Sequence, residues 1–445
     1  MSTSVSASTN PSQYPAHRGI SRRQVAIICV SNIVACFDFL LFFYLGGVFS
    51  EAFFPDQNNP VIHNLQMLGI FTAGYLSRPL GGLLIGRYGD VYGRKQAFLV
   101  SMSFIAIATL MTAVLPTYAQ AGVLAPLLFL FARILQGMAF GAYAPLGWVF
   151  VAEHVARHRL ATYCSIVSAS FVVGVLLSNL FFSMIESYFT FEQFVAYAWR
   201  LPFLLGAVLG FVMLAFWHKL DETPAFIEQA PRSSYWAGIK HIKPSWQRFS
   251  SLFLAGVMTF IISSLFVVVV LILPELVALK FSINEVMLGY SHGLGLLFMV
   301  MGCVFYGLIA DKTSTGRTLM FGSLIFMIQT WAFYSHLQNG SGNYVLVMYA
   351  LLGFCSAIIG LCVAVMVQLF VTRNRLTAVS LIYNSVYAVV GGMLPFALFY
   401  ATERLSFAPA LYLAFVGLIG FLMGFYVLRL PGFAHASPTT NTALS

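Results

Sequence analysis

The sequence predicts an all-α integral membrane protein with twelve transmembrane helices. They form two six-helix bundles related by pseudo-two-fold symmetry, and both termini lie in the cytoplasm. Three observations predict this fold class: the apolar composition, the apolar runs and the placement of the basic residues. Of the 445 residues, 60% are hydrophobic and 8% are charged, whereas a soluble domain carries about 25% charged residues. So few charges cannot cover a water-exposed surface, which excludes a soluble enzyme and a free nucleic-acid-binding protein.

Twelve runs are long enough to cross the membrane, because a helix needs roughly 20 mainly apolar residues to span the hydrocarbon core. The predicted spans are residues 24–49, 62–86, 95–115, 122–150, 160–186, 197–217, 250–274, 286–310, 317–336, 343–370, 376–401 and 407–429. The polar break at 218–249 is the predicted cytoplasmic linker between an N-terminal bundle at 24–217 and a C-terminal bundle at 250–430. Residues 1–23 and 431–445 are polar and are predicted to be disordered cytoplasmic tails.

The Lys and Arg residues fall mostly on one side of these spans. Eighteen of the 23 lie in the predicted cytoplasmic tails and loops. Three lie in outer loops, and Arg78 and Arg133 lie inside spans. An excess of basic residues marks the cytoplasmic side of a membrane protein. The distribution therefore puts both termini in the cytoplasm, and it explains the net charge of +9 by attraction to anionic lipid, not to nucleic acid.

A loop motif repeats between the two halves. The segment after the second span reads GRYGDVYGRK at 86–95, and the segment after the eighth span reads GLIADKTSTGR at 307–317. Both contain Gly-x-x-x-Asp followed by Gly-Arg in a predicted cytoplasmic loop. Two six-span halves that share a loop motif are typical of a secondary transporter with a central site between its halves.

The first of these loops resembles the cytoplasmic loop motif of the major facilitator superfamily. Further stretches are similar to its metabolite:proton symporter branch, which includes carriers for α-ketoglutarate, citrate, shikimate, proline and betaine. These stretches are FDF at 37–39, FFP at 53–55, RPLGG at 78–82, RILQG at 133–137, WRLPFL at 199–204, ETPAF at 222–226, SLIYN at 380–384 and GGMLP at 391–395.

The resemblance implies a secondary active transporter of the bacterial inner membrane that works as a monomer by alternating access. It would import a small organic acid or a zwitterionic metabolite together with protons. Two alternatives stay open: an exporter of the same fold, which moves a siderophore, metabolite or drug outward, and a transporter-like sensor. The implied partners are the small-molecule substrate and membrane lipid.

Two positions depart from the branch pattern. The branch usually has glutamate where this chain has Ala35, and a second acid where it has Tyr143. Both departures remove a carboxylate from inside the membrane, so the resemblance leaves the substrate open. Their loss leaves Arg78 and Arg133 less neutralised, which favours an anionic substrate.

Three charged residues lie deep inside predicted spans: Asp38, Arg78 and Arg133. At 1.5 Å per residue, Asp38 lies about 20 Å from the cytoplasmic start of its span and Arg133 about 17 Å from the outer end of its own. The resemblance implies that these two face each other. Protonation of Asp38 would then release Arg133 and couple the proton to the conformation. The alternative is a permanent buried ion pair that only fixes two helices.

Arg78 has three open roles: attraction of an anionic substrate, contact with a helix-end carbonyl, or a gate. Other polar residues in the spans are candidates for the wall of a central cavity. They are Tyr44, Tyr143, Asn179, Tyr383, Asn384 and Tyr387.

The repeated loops predict a cytoplasmic gate. Gly86 allows close approach of two helices, and Asp90 can cap a neighbouring helix or pair with a basic residue of the other half. Glu153 is expected to join through Arg157 or Arg159. The predicted gate residues are Gly86, Asp90, Gly93, Arg94, Lys95, Glu153, Asp311 and Arg317. The alternative is that the basic residues only anchor the loop at the anionic interface.

Other signals for chemistry are weak. His154 and His158 are four residues apart but have no third ligand nearby, so no metal site is predicted. The sequence contains neither a Walker loop nor a strand–Gly-rich–helix unit for a dinucleotide. We therefore expect no cofactor beyond the coupling proton, and no enzyme.

Overall fold

Every regular element that the computed structural model describes is helical. The described residues are 20–54, 60–228, 246–281, 285–338 and 344–430. The predicted tails, apart from residues 20–23, and the middle of the predicted linker lie outside them.

Helices α1 to α10 come from the N-terminal half. They are α1 (Arg22–Tyr44), α2 (Gly46–Phe53), α3 (Pro60–Tyr92), α4 (Arg94–Ala113), α5 (Tyr118–Ala121), α6 (Leu124–His154), α7 (Leu160–Tyr188), α8 (Phe191–Gln193), α9 (Arg200–Ala215) and α10 (Pro224–Ile227). The first begins at a capping box, in which the Ser21 hydroxyl accepts a hydrogen bond from the Gln24 amide. Such caps satisfy amides that have no partner within the helix.

Helices α11 to α18 come from the C-terminal half. They are α11 (Trp246–Leu265), α12 (Leu273–Phe281), α13 (Glu285–Lys312), α14 (Thr315–Gln338), α15 (Val345–Ser356), α16 (Ile359–Gln368), α17 (Arg375–Arg404) and α18 (Ala408–Arg429). A π-helical segment, Phe266–Ile272, joins α11 to α12. Segments of this kind recur at functional sites, and Phe266 reaches the cavity described below.

Each of the twelve predicted spans coincides with a helix or with consecutive helices. Within the described residues, nine segments are long and apolar enough to cross a membrane, or ten if the bent pair Phe191–Ala198 and Arg200–Ala215 counts as one span. The predicted spans at 62–86 and 317–336 correspond to α3 and α14, which are helical but fall outside this count.

The outer face of the bundle is apolar. Large side chains such as Leu76, Leu127, Val208, Ile328 and Phe415 are exposed there. A continuous apolar exterior is unstable in water and is stable in hydrocarbon, where every backbone group of a helix is already satisfied. The surface therefore fits a chain whose solvent is lipid.

Glycines bring α3 very close to α6. A Cβ atom on Gly81 would lie 1.8 Å from the Met138 carbonyl oxygen, and one on Gly141 would lie 2.1 Å from that of Arg78. Only glycine leaves room for two backbones at this distance. The close packing fixes Arg78 of α3 beside the helix that carries Arg133.

The two halves of the chain meet mainly along two helix pairs, α3 with α17 and α7 with α13. The first pair places Arg78 against the Ser380–Asn384 stretch of the predicted motif. The second pair places the loop motif of the C-terminal half against the start of α7. Residues of both halves therefore surround the space between these pairs.

Candidate functional site

A central cavity lies between the two halves. Its volume is about 50 Å³. Its walls come from α1, α3, α6 and α7 on one side and from α11, α16, α17 and the π-helical segment on the other. The aromatic lining residues are Phe39, Tyr75, Phe140, Trp148, Phe171, Phe266, Tyr383 and Tyr387. Among the described residues that line it, Arg78 alone carries a charge.

The Arg78 guanidinium is surrounded by aromatic rings. Five ring centroids lie 4.8 to 5.7 Å from its central carbon, those of Phe39, Tyr75, Phe140, Tyr383 and Tyr387. Its Nε donates a hydrogen bond of 3.0 Å to Asn384 Oδ1. The Asn384 amide group donates in turn to the Gly141 and Ser380 carbonyl oxygens. The side chain of Arg78 is thus held in place by the second half of the chain.

Arg78 has no carboxylate partner among the residues that the structure describes. None of the ion pairs within 4.0 Å in the described part of the chain includes it. Its Nη2 is buried and has no hydrogen-bond partner. An unpaired charge inside a membrane protein is costly, and contact with rings offsets about 2 kcal/mol of that cost. The cation is therefore available to an anion in the cavity.

The predicted substrate residues divide into two groups. Arg78, Tyr383 and Tyr387 line the cavity. Asn384 does not line it but accepts a hydrogen bond from Arg78. Tyr143 and Tyr44 do not line it. The Tyr143 ring packs against Phe98 of α4 at 5.1 Å, and the Tyr44 ring stacks on Phe182 at 5.9 Å.

Two of the four Tyr and Trp residues that line the cavity, Tyr75 and Trp148, were not among the sequence candidates. Tyr75 lies one helical turn before Arg78 on the same face of α3, so the helical period could have identified it. Trp148 packs edge-on against Tyr383 at 5.1 Å, and no sequence signal distinguished it. Asn179, a further candidate, approaches His292 of α13 at 3.4 Å.

Asp38 and Arg133 do not form the direct pair that the resemblance implies. Gln136 lies between them: its amide group donates to Asp38 Oδ2, and its carbonyl oxygen accepts from Arg133 Nη1. Thr109 also donates to Asp38 Oδ2, at 2.6 Å. Gln136 follows Arg133 by three residues on α6, so its side chain reaches the same face. The amide therefore replaces direct contact between the two charges.

The side chains of Asp38 and Arg133 each keep an atom that can form a further hydrogen bond. Asp38 Oδ1 and Arg133 Nη2 are buried without a hydrogen-bond partner. The Arg133 guanidinium packs on the rings of Phe42 at 4.0 Å and Phe39 at 5.1 Å. A proton could bind at Oδ1 while both hydrogen bonds to Oδ2 stay in place. The geometry therefore suits a carboxyl group that changes its protonation without rearranging its neighbours.

On the side of the repeated loops, Asp90 caps a helix of the opposite half. Its carboxylate accepts hydrogen bonds from the Leu376 amide at 3.3 Å and from the Thr377 amide at 2.9 Å. The Thr377 hydroxyl donates to it as well, at 2.5 Å. These groups belong to the first turn of α17, where a negative charge is stabilising. A Cβ atom on Gly86 would lie 3.2 Å from Thr377 Cα, so this glycine lets the helices meet.

Asp311 does the same for α7. It accepts from the amides of Ala161 and Thr162 at 3.0 and 2.9 Å. A Cβ atom on Gly307 would lie 2.9 Å from Thr162 Cα. The repeated Gly-x-x-x-Asp therefore forms the same kind of contact twice, once in each direction between the halves.

Glu153 pairs with Arg94 and Arg375, not with the predicted Arg157 or Arg159. Arg94 Nε donates to it at 2.9 Å and Arg375 Nη1 at 3.2 Å. Arg157 and Arg159 are exposed, because α6 ends before them and the chain turns away. Since Arg375 starts α17, the buried cluster joins the two halves.

Gly93, another predicted gate residue, lies against Glu222, which was not predicted and belongs to the same half. Glu222 accepts from the amides of Arg94 and Lys95, at 3.0 and 3.2 Å, and so caps α4. Burial raises the pKa of the Glu222 carboxyl, and the hydrogen bonds from the Thr223, Lys95 and Arg94 amides oppose this. Gly93 has φ of +114°, and a Cβ atom there would lie 2.2 Å from Glu222 Oε2.

The second copy of the loop motif lacks the arginine contact between the halves that the first copy forms. Arg317 is exposed, and the ion pairs found among the described residues do not include it. Lys95 places its ammonium group 4.8 Å from the Trp217 ring, within its own half. Arg94 is therefore the basic residue of the motif that contacts the C-terminal half. Its guanidinium donates a hydrogen bond of 2.6 Å to the Thr372 carbonyl oxygen.

Comparison with known proteins gives consistent matches. Residues 31–395 match the family model described as Major Facilitator Superfamily. The α-ketoglutarate permease of Escherichia coli (strain K12) is 30% identical over 423 residues, 92% of this chain and 94% of the relative. The glycine betaine/proline/ectoine/pipecolic acid transporter OusA of Dickeya dadantii (strain 3937) is 25% identical over 92% of this chain and 83% of its own length.

The fold also matches solved structures. The proton:xylose symporter XylE, bound to 6-bromo-6-deoxy-D-glucose, gives a TM-score of 0.76 at 13% sequence identity. The match covers 91% of this chain and 94% of XylE. At this identity the similarity concerns the fold alone.

Proposed function

This chain belongs to the major facilitator superfamily, and from that premise we propose that it imports a small organic carboxylate together with protons. The family resemblance drawn from the loop motif is confirmed. The relatives are membrane transporters, so the prediction of a transporter and not an enzyme is confirmed as well. The substrate class, the proton and the direction are the proposal.

The unpaired Arg78 in the cavity wall is the main observation in favour of a carboxylate substrate. A buried cation without a carboxylate partner offers a bound anion the opposite charge that its own burial requires, and the desolvation of the cation is already complete. The named substrates of the two relatives, α-ketoglutarate for one and glycine betaine or proline for the other, all contain a carboxylate. A carboxylate at Arg78 would account for what these substrates share.

Asp38 is the proposed proton carrier. It is buried, one of its oxygens is free, and Gln136 links it to Arg133. Its neighbour Phe39 lines the cavity and contacts Arg78 at 5.7 Å. A change of charge at Asp38 would therefore reach the cavity through adjacent side chains of α1.

Alternating access would proceed by breaking the contacts around Asp90, Asp311 and Glu153. We place these contacts on the cytoplasmic side, with twelve crossing helices and both termini in the cytoplasm of a bacterium. The one-sided distribution of basic residues and the bacterial relatives support this topology. The bundle presents its apolar surface to lipid, and we propose that it works as a monomer in the inner membrane.

Transport into proteoliposomes tests the proposal. Labelled carboxylates would be offered with an inward proton gradient to the wild type, to Asp38→Asn and to the control Asp221→Asn. Asp221 lies in the same half but is exposed. We expect gradient-driven accumulation by the wild type and the control, and substrate exchange without accumulation by Asp38→Asn. Equal accumulation by all three would contradict the role of Asp38, and accumulation driven only by an outward gradient would contradict import.

A further inference from the structure

Phe39 separates two buried guanidinium groups. Its ring centroid lies 5.7 Å from the central carbon of Arg78 and 5.1 Å from that of Arg133. Each of these arginines has a buried Nη2 without a hydrogen-bond partner. Arg78 lines the cavity and Arg133 does not. The ring therefore covers one of two cations that could bind a carboxylate.

Neighbouring rings hold Phe39 in this position. It stacks on Phe140 with centroids 4.6 Å apart, and it meets Tyr75 edge-on at 5.5 Å. Aromatic pairs of this geometry are stabilising beyond the apolar area they bury. The Phe39 ring is thus a fixed wall of the cavity.

The rest of the cavity wall suits a flat apolar body. Besides the rings, the lining includes Leu40, Val172, Ile262, Ile359 and Val363. A second carboxylate on the substrate would find no second cation, because Arg78 is the one charged residue among the described lining residues, and burial of an unpaired charge is costly. The substrate that fits has one carboxylate at Arg78 and a ring or short hydrocarbon against the walls.

A quaternary ammonium group fits less well. Such a cation is stabilised by aromatic faces or by a carboxylate. Five of the eight aromatic rings in the lining already lie within 5.7 Å of the Arg78 cation, and the described lining residues include neither Asp nor Glu. Repulsion from Arg78 opposes a positive group beside the bound carboxylate.

We infer that the site selects monocarboxylates with an apolar, flat body, and that Phe39 excludes dicarboxylates by covering Arg133. This inference rests on the proposed carboxylate transport and specifies its substrate class. It also distinguishes this chain from the relative named for α-ketoglutarate, which is a dicarboxylate.

Binding to the purified protein tests the inference without a proton gradient. Calorimetry would compare benzoate with terephthalate, which adds a second carboxylate to the same ring, and with α-ketoglutarate and glycine betaine. We expect the wild type to bind benzoate at least tenfold more tightly than the other three. Tighter binding of α-ketoglutarate, terephthalate or betaine would overturn the inference, whether or not any variant folds.

Two single variants then test Phe39 itself. Phe39→Ala should tighten terephthalate binding at least tenfold relative to benzoate, because it exposes Arg133. Phe171→Ala removes the same kind of ring from the same cavity. The ring contacts found for Phe171 among the described residues are with Phe140 and Trp148, not with Phe39 or either arginine, so its benzoate-to-terephthalate ratio should stay at the wild-type value. Equal changes in the two variants would overturn the role of Phe39. The double variant Phe39→Ala with Arg133→Gln should lose the gain, and retention of the gain would also overturn it.

The two proposals fail separately. A protein that prefers benzoate in calorimetry but does not accumulate it under a proton gradient supports the site inference and contradicts proton-coupled import. A protein that accumulates α-ketoglutarate under the gradient and binds it more tightly than benzoate contradicts the inference and supports the import.

Discussion

Asp90 and Asp311 hold equivalent positions in the two halves, and each caps a helix of the opposite half. Asp90 accepts hydrogen bonds from the first amides of α17, and Asp311 accepts them from the first amides of α7. In both cases the glycine four residues earlier lets the two helices approach. One short motif thus joins the two halves twice, once in each direction.

Removal of one cap should shift the conformational equilibrium. We expect Asp90→Ala to favour the form open at this end by about 1 kcal/mol, roughly fivefold in population, since it loses a helix cap. Spin labels at Tyr92 and Val371, which are exposed on opposite halves, would report a larger long-distance fraction. Asp221→Ala removes an acid that bonds Gln24 within one half and should leave the distances unchanged. An unchanged distribution in Asp90→Ala would refute the gate contact.

Substitutions in the buried cluster of Glu153, Arg94 and Arg375 should have non-additive effects on the free energy of unfolding. Glu153→Gln leaves Arg94 and Arg375 close together without their shared carboxylate, and loss of one partner of a buried ion pair costs about 3–5 kcal/mol. Adding Arg375→Gln removes the repulsion, so the double variant should be more stable than the sum of the single effects, by about 0.5–3 kcal/mol. Thermal unfolding of the purified variants measures this. The exposed Glu228, changed to Gln, should have little effect, and strict additivity would argue against the cluster.

Gly307 should tolerate no side chain in the closed form. A Cβ atom there would lie 2.8 Å from Ser165 Cβ and 2.9 Å from Thr162 Cα, and overpacking of this kind costs about 1–3 kcal/mol. Gly307→Ala should separate α13 from α7 and expose the neighbouring Cys164, which is fully buried. Maleimide modification of Cys164, followed by mass spectrometry, should become faster. Gly256→Ala, which meets no atom within 4 Å, serves as the control, and equal rates in both variants would contradict the packing argument.

Gln136 should be required for coupling but not for substrate exchange. Gln136→Leu removes the only hydrogen-bonded link between Asp38 and Arg133 that the described residues show. We expect accumulation under a proton gradient to fall at least tenfold while counterflow exchange continues. Gln329→Leu removes an amide that bonds the Met348 carbonyl, far from these charges, and should behave as wild type. Normal accumulation by Gln136→Leu would show that the charges act independently.

The sequence predicted the helices because long apolar runs and one-sided basic residues follow directly from the demands of a bilayer. It also predicted that Gly86 and Asp90 meet another helix, since the motif and its repeat stand at matching places. The partner could not be derived, because Thr377 lies 287 residues further along the chain.

The contacts of individual side chains were harder to predict. Depth in the membrane brings Asp38 and Arg133 to one level, but it does not show that Gln136 fills the gap. Proximity in sequence favours Arg157 as a partner of Glu153, yet α6 ends at His154 and the helical spacing no longer applies beyond it. Tyr143 follows the motif in sequence but faces α4, because rotation of a helix depends on its neighbours.

The movement of protons with the substrate tests the central claim most directly. Proteoliposomes in a weakly buffered medium, without an imposed gradient, would receive a carboxylate that the purified protein binds. The account predicts that the medium becomes more alkaline as the substrate enters through the wild type, and that Asp38→Asn produces no such change. Entry of the labelled substrate through the wild type with no change in external pH would contradict proton-coupled import.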